Sequence, residues 1–191
     1  MSELLKAHIR KFVVMSEEEF LSVSSFFKTR SLKKKESLLQ EGQVCRQSYF
    51  IVKGCLRMFF VNEKGVEQTT QFAIENWWMS DYLSFERGQP SDFSIQAVEK
   101  TEVLSIDHFS QEALLKDFPF MERYFRLVMQ HAYAASQYRI KYLYGLSREE
   151  LYHHFNRHFP EFVQRVPQYL LASFLGFTPE YLSEIRAKKL S

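Results

Sequence analysis

Residues 166–189 read VPQYLLASFLGFTPEYLSEIRAKK, and the rest of the chain is read outward from them. Leu170, Leu171, Phe174 and Leu175 recur at helical spacing and give a first helix its buried face. Pro167 falls at the N1 position, and Ala172 is small enough to let another helix approach closely. Gly176 makes the turn. Thr178 is an N-cap and Pro179 an N1 residue, so a second helix starts at once. Leu182 and Ile185 of that helix face inward. Thr178, Pro179, Glu180, Ser183, Glu184 and Ala187 are left toward solvent, while Arg186, Lys188 and Lys189 make its end basic. This is helix-turn-helix geometry, in which the first residues of the second helix meet base edges in the DNA major groove. The same pattern also fits an ordinary αα-hairpin packed on its own protein. The residues alone leave both readings open.

What precedes this unit has two textures. From residue 38 to 107 the segments are short and rich in β-branched and aromatic residues: 48–53, 55–61, 68–73, 93–98 and 102–106. Turn signals separate them, among them Lys53–Gly54 and Asn62–Glu63–Lys64–Gly65. This pattern predicts a small antiparallel sandwich or barrel. Ahead of it, Ser16 caps a helix with Glu17, Glu18 and Glu19 in its first turn, and Phe20, Val23, Phe26 and Phe27 follow at helical spacing. Lys33, Lys34 and Lys35 read as a solvated link. After residue 107 the texture is helical. Residues 108–116 form a short helix, and residues 120–143 contain neither Gly nor Pro. On that long helix Met121, Tyr124, Val128, His131, Ala135, Tyr138 and Tyr142 fall on an a/d heptad seam, which predicts pairing with a second helix. Ser147 and Glu150 form a capping box for another helix. Pro160 and Pro167 bracket a linker into the final pair.

Composition narrows the classes of function. The 191 residues are 46% hydrophobic and 25% charged, enough apolar material for a sizeable core. Net charge is +2, so nucleic-acid contact requires a local basic patch. The 16% aromatic content is mostly Phe and predicts an aromatic core. Cys45 and Cys55 fit a reducing compartment and are too few for a zinc or iron–sulfur site. No apolar run is long enough to cross a bilayer, and MSELLKAHIRKF lacks the apolar region of a secretory signal, so a cytoplasmic protein without a membrane partner is expected. Glu150, His154 and His158 share a helix face, which reads as an ordinary polar face rather than a metal site. No catalytic constellation stands out, and no enzyme is expected.

These segments, in this order, resemble the cyclic-AMP receptor protein/Fnr superfamily of bacterial transcription regulators, above all its short Bacteroidetes-type members. LLQEGQVCRQSYFIVKGCLRMFFVNEKGVEQ looks like the front of that family's cyclic-nucleotide-binding β-roll, with Gly42, Gly54 and Gly65 at its turns, and RVPQYLLASFLGFTPEYLSEIRAKK is similar to its helix-turn-helix. The resemblance implies an α+β chain. Residues 1–118 would form a jelly-roll sensor domain with flanking helices, 119–144 the dimerisation helix, and 145–191 a DNA-binding domain without a clear wing. It implies a homodimer that binds double-stranded DNA, with RNA polymerase and a small-molecule effector as further partners.

The departures shape the expected site. Members that bind cyclic AMP carry Gly-Glu, a short helix, then Arg-Ser/Thr, the Glu taking the ribose hydroxyl and the Arg the phosphate. Here Ser80–Asp81 and Ser91–Asp92 stand at those positions. Without the Arg, a buried phosphate would be uncompensated, and Asp92 would repel it. Cyclic AMP is therefore not the expected ligand. With no cysteine in residues 1–37, an iron–sulfur cluster is not expected either. The pocket, if any, would be lined by Ser80, Asp81, Tyr82, Ser91, Asp92 and Phe93, with Trp77, Trp78 and Phe85 as further walls. It would hold a more aromatic, less anionic ligand, or be filled by its own side chains. In the second helix of the pair, Glu180 matches a base-contacting Glu of the family, able to accept from a cytosine amino group. Glu184 stands where cyclic-AMP-binding members place a base-contacting Arg. Thr178, Pro179, Glu180, Ser183, Glu184, Arg186 and Lys188 are the candidate DNA contacts. The alternative function is a ligand-binding or protein-interaction module that keeps the fold without tight DNA binding.

Overall fold

The computed structural model describes residues 3–188, the side chain of Lys188 excepted. In chain order the elements begin with α1 (Glu3–Arg10), α2 (Glu17–Ser24), β1 (Lys28–Leu32), β2 (Ser37–Leu39), β3 (Gln47–Lys53), β4 (Leu56–Val61) and β5 (Glu67–Ala73). There follow β6 (Trp78–Met79), α3 (Tyr82–Arg87), β7 (Ser94–Ala97), β8 (Thr101–Asp107), α4 (His108–Asp117) and the long α5 (Phe120–Gly145). The chain then runs through α6 (Arg148–His158), α7 (Pro160–Arg165), α8 (Gln168–Leu175) and α9 (Pro179–Lys188). It divides into two compact units, Met1–Phe60 with Gln71–Gln130, and Val61–Thr70 with His131–Ser191.

In the first unit two four-stranded antiparallel sheets, ordered β1-β8-β3-β6 and β2-β7-β4-β5, enclose one core. Alternate residues supply it: Tyr49, Ile51 and Val103 from the first sheet, Leu56, Met58, Ile95 and Ala97 from the second. The other face of the first sheet presents Phe50, Trp78, Leu104 and Ile106 to the helices. There they pack with Leu5 and Ile9 of α1, Phe20 and Val23 of α2, Leu114 of α4, and Met121 and Tyr124 of α5. Both capping boxes form: Ser16 and Glu19 exchange backbone-to-side-chain hydrogen bonds at α2, as do Ser147 and Glu150 at α6. The Asn62–Gly65 turn closes as its residues suggest, the Asn62 Oδ1 accepting from Lys64 N and Val66 N and Gly65 taking φ 73°.

Several boundaries differ from the sequence reading. Helix α2 stops at Ser24, so Phe26 and Phe27 lie beyond it, although both still pack on the core. The Ser24 and Ser25 hydroxyls donate to Leu21 O and Ser22 O, which satisfies the last carbonyls and lets the chain turn. Pro167 is the N-cap of α8, at φ −52° and ψ 136°, and Gln168 is the first helical residue. The stretch between Pro160 and Pro167 is no mere linker. Pro160 sits at the start of α7, where a missing N–H costs nothing, and Val163 is buried.

A buried polar chain links three elements of the first unit. Trp78 Nε1 donates to Tyr124 Oη at 2.8 Å, and Tyr124 Oη lies 2.8 Å from His8 Nδ1. Tryptophan can only donate, so the arrangement that satisfies all three has the tyrosine hydroxyl donating to a neutral His8. Burial, with Lys11 nearby, pulls the His8 pKa down to about 4. The folded pKa lies below the ordinary value of 6.5, so the unfolded chain binds the extra proton first. This contribution is therefore complete above pH 6.5 and is lost as pH falls through the interval down to about 4. With His8 only 9% exposed, we expect a loss on the order of 2 kcal/mol. His8→Phe should flatten that limb of the stability profile in denaturant titrations at several pH values. An unchanged acid limb would contradict the assignment.

Candidate nucleic-acid interface and sensor pocket

Helices α6 to α9 share one core of Leu151, Tyr152, Val163, Leu171, Ala172, Leu175, Phe177, Leu182 and Ile185. Leu182 and Ile185 are each 1% exposed and anchor α9, together worth roughly 3–6 kcal/mol of burial. Gly176, at φ 77°, ends α8 in the left-handed conformation, and its N–H together with that of Phe177 returns to Ala172 O. Thr178 Oγ1 accepts from Tyr181 N at 3.3 Å, capping α9. Thr178, Pro179, Glu180, Ser183, Glu184 and Arg186 are all exposed. Ser183 turns its hydroxyl back to Pro179 O at 3.0 Å. The Lys188 side chain lies outside the described residues.

The tip of the β4–β5 hairpin belongs to the same unit and grips α8. Ser173 Oγ accepts from Thr69 N at 2.8 Å and donates to Glu67 O at 2.9 Å, pairing the open edge of β5. Arg139 of α5 donates to Thr70 O and to Phe174 O, both at 2.9 Å, and stacks 4.3 Å over the Phe174 ring. Burial disfavours its charge. Neither residue stands out in the sequence. Arg139 reads as one more cation on a long helix, and only the hydrogen bonds reveal its role.

In the first unit, the cassette positions engage one another. Asp81 caps α3, its Oδ1 accepting from Leu83 N at 3.2 Å and Ser84 N at 3.3 Å. Its other oxygen accepts from the Ser91 hydroxyl at 2.6 Å. Ser80 Oγ donates to Gln47 O and lies 3.4 Å from Cys45 Sγ. Asp92 and Arg87 are exposed. Although Tyr82 is 41% exposed, its hydroxyl is turned inward to Ser48, and burial pushes its pKa up to about 12. The aromatic residues do not line one space. Trp78 belongs to the helix-facing core, Phe93 packs inside the roll and meets Phe60 edge-on at 6.4 Å, Phe85 stacks on His108, and Trp77 is 49% exposed.

The heptad seam divides. Met121 and Tyr124 are fully buried in the protomer's own core, and Val128 packs against it. His131, Ala135 and Tyr138 are exposed, and Tyr142 packs on the helical core. A period of seven marks an apolar stripe without saying which neighbour covers each turn. On α6, His154 and His158 stack at 4.2 Å between ring centroids, and Tyr142 stacks on His154 at the same distance. Among the described residues, no three His, Cys, Asp or Glu side chains are placed to hold a metal ion, and no helix is long and apolar enough to cross a membrane.

Residues 29–118 match the model of the cyclic nucleotide-binding domain family, and they fold as a jelly roll, followed along the chain by the long α5 and the C-terminal helices, the element order of the Crp/Fnr fold. CLP of Xanthomonas campestris, described as a c-di-GMP-responsive global regulator, has a similar structure, with a TM-score of 0.73, 11% identity and coverage of 91% of this chain and 92% of that one. FixK2 of Bradyrhizobium japonicum gives 0.70 at 16% identity, covering 85% and 83%. The catabolite activator protein of Thermus thermophilus gives 0.57 at 18% identity, covering 91% and 83%. No curated protein matches the sequence. At these identities the likeness is one of fold.

Proposed function

We propose that this chain is a DNA-binding transcription regulator of Crp/Fnr type that acts in the cytoplasm as a homodimer. The observation that carries the reading is α9. It is anchored through Leu182 and Ile185, begins at a tight turn, and leaves Thr178, Pro179, Glu180, Ser183, Glu184 and Arg186 exposed. With Lys188 these residues make the major-groove surface. The dimer forms along α5 from His131 onward, where Ala135 and Tyr138 face outward. Two copies then read half-sites about 34 Å apart. An effector, if one acts, shifts the orientation of the recognition helices by binding one arrangement better. RNA polymerase is the partner through which bound regulator would act.

Cyclic AMP is not its effector in this reading. The Asp81 carboxylate and the Ser91 hydroxyl satisfy each other where a ligand's ribose and phosphate would lie, and a phosphate there would face a carboxylate instead of an arginine. The likeness to CLP raises cyclic di-GMP, but the same carboxylate opposes any anionic nucleotide at this place. Calorimetric titration with either nucleotide is expected to give no binding heat, whereas saturable binding would contradict the self-satisfied cassette.

The second reading is a protein-interaction or ligand-binding module without tight DNA binding, which the Glu180 and Glu184 carboxylates favour. Fluorescence anisotropy with duplex DNA over a range of salt concentrations separates the two. The regulator loses affinity steeply and linearly on a log–log plot, by about 0.9 in slope for each phosphate contacted. No duplex binding at low salt would favour the module.

A further inference from the structure

We propose that Arg148, the first residue of α6, binds a DNA phosphate beside the recognition helix and that the Tyr181 ring of α9 positions it. This deepens the DNA-binding reading above and rests on it.

Charge poses the problem. The first six residues of α9 carry the carboxylates of Glu180 and Glu184 and no cation, so attraction for the phosphate backbone beside them calls on neighbouring elements as well as on Arg186 further along the helix. Arg148 is exposed, and its guanidinium carbon lies 5.7 Å from the centroid of the Tyr181 ring. That ring is itself held. Tyr181 is half-buried against the helical core and meets Phe177 edge-on at 5.6 Å, and its N–H is bonded to the Thr178 hydroxyl. It directly follows Glu180, so the stacked guanidinium sits at the border of the exposed α9 strip.

The acids nearest Arg148 in sequence are engaged elsewhere. Glu150 accepts from Ser147 N and Ser147 Oγ, at 2.8 and 2.7 Å, and Glu149 lies 3.9 Å from His153 Nε2. Among the described residues Arg148 has no carboxylate partner. A guanidinium lying over a ring keeps its edge N–H donors free, and their planar fork matches the oxygens of a phosphate. Holding the side chain in place beforehand reduces the entropy lost on contact.

The test uses the full-length protein and a labelled duplex of about three helical turns selected from a random library by the wild type. Anisotropy titrations run from about 50 to about 200 mM salt. Arg148→Ala is expected to lower the log–log salt slope by about 0.9 per bound subunit and the affinity by about eightfold per subunit near 0.1 M salt. Arg148→Lys should keep the slope with weaker binding. Tyr181→Leu should weaken binding several-fold while leaving the slope intact, which a merely structural loss of the site would not do. Glu149→Gln serves as the neutral control. Wild-type slope and affinity in Arg148→Ala would overturn the proposal while the DNA-binding reading stands. Failure of the wild type to bind any duplex would overturn both, and the wild-type titration alone shows which has happened.

Discussion

Arg139→Ala is expected to loosen α8 and the hairpin tip together while leaving the jelly roll intact. The substitution removes two hydrogen bonds from a charged donor and a stacked contact with Phe174. Bonds of that kind are each worth about 1.5–3 kcal/mol, and part of that is recovered when water reaches the freed carbonyls, so a net loss of about 2–3 kcal/mol is expected. Arg139→Lys should recover only part, because an ammonium lacks the planar fork that reaches Thr70 O and Phe174 O at once. Both tryptophans lie in the first unit, so their fluorescence is the wrong probe. Hydrogen exchange resolved by segment is the right one. Residues 61–70 and 168–175 should exchange faster in the variant, and residues 101–107 should not. Uniform protection, or loss confined to the roll, would contradict the clamp. Ser173→Ala should give the same pattern more weakly, since it removes the pair of hydrogen bonds at the strand edge without touching the guanidinium. Because α8 is the first helix of the proposed helix-turn-helix, both variants should also weaken the proposed DNA binding.

Gly54→Ala is expected to produce the largest loss of stability in the first unit. Gly54 takes φ +101°, and an added Cβ would lie 2.5 Å from Thr101 Oγ1, 2.7 Å from Thr101 Cα and 2.8 Å from Lys100 O. Two of those neighbours are backbone atoms and cannot step aside. The third belongs to a hydroxyl that accepts from Cys55 N and donates to Glu99 O, so moving it costs those bonds too. Strain and overpacking together should cost at least about 3 kcal/mol, or roughly 10 °C in melting temperature for a chain of this size. Gly65→Ala is the control. Gly65 also has positive φ, +73°, but nothing lies within 4 Å of its added Cβ, so it should lose only about 1 kcal/mol. Thermal melts followed by far-ultraviolet circular dichroism, which reports on both units, compare the two, and equal losses would show that backbone conformation, not the close approach to Thr101, governs Gly54.

How much the sequence discloses depends on whether local chemistry or remote packing sets each element. Capping boxes and the Asn62–Gly65 turn are local devices and are legible. The five strands read from β-branched and aromatic residues between turn signals, 48–53, 55–61, 68–73, 93–98 and 102–106, match β3, β4, β5, β7 and β8 to within a residue or two, because those residues are the ones that a packed sheet buries. Strand β1 is illegible. KTRSL buries only Leu32 and carries two cations on a sheet edge, where charge guards against pairing with other chains. Helix α1 is too short to stand alone, so it exists through the burial of Leu5, His8 and Ile9. The candidate DNA surface is readable as far as a pair of helices joined by a tight turn, because turn residues and inward leucines define that pair locally. The clamp on α8 was not, because Glu67, Thr69, Arg139 and Ser173 are far apart in sequence and meet only in the fold. The same holds for Asp81 and Ser91. The resemblance assigns them to a ligand, and only the 2.6 Å hydrogen bond shows that they are engaged with each other.

The most direct measurement is selection of bound sequences from a random DNA library by the full-length protein. A two-fold symmetric motif is expected, with half-sites centred about one helical turn, roughly 34 Å, apart and at least about tenfold preference over scrambled DNA, or about 1.4 kcal/mol. Absence of enrichment, both with the protein alone and with cell extract added to supply any effector, would contradict the regulator and leave the interaction module in its place.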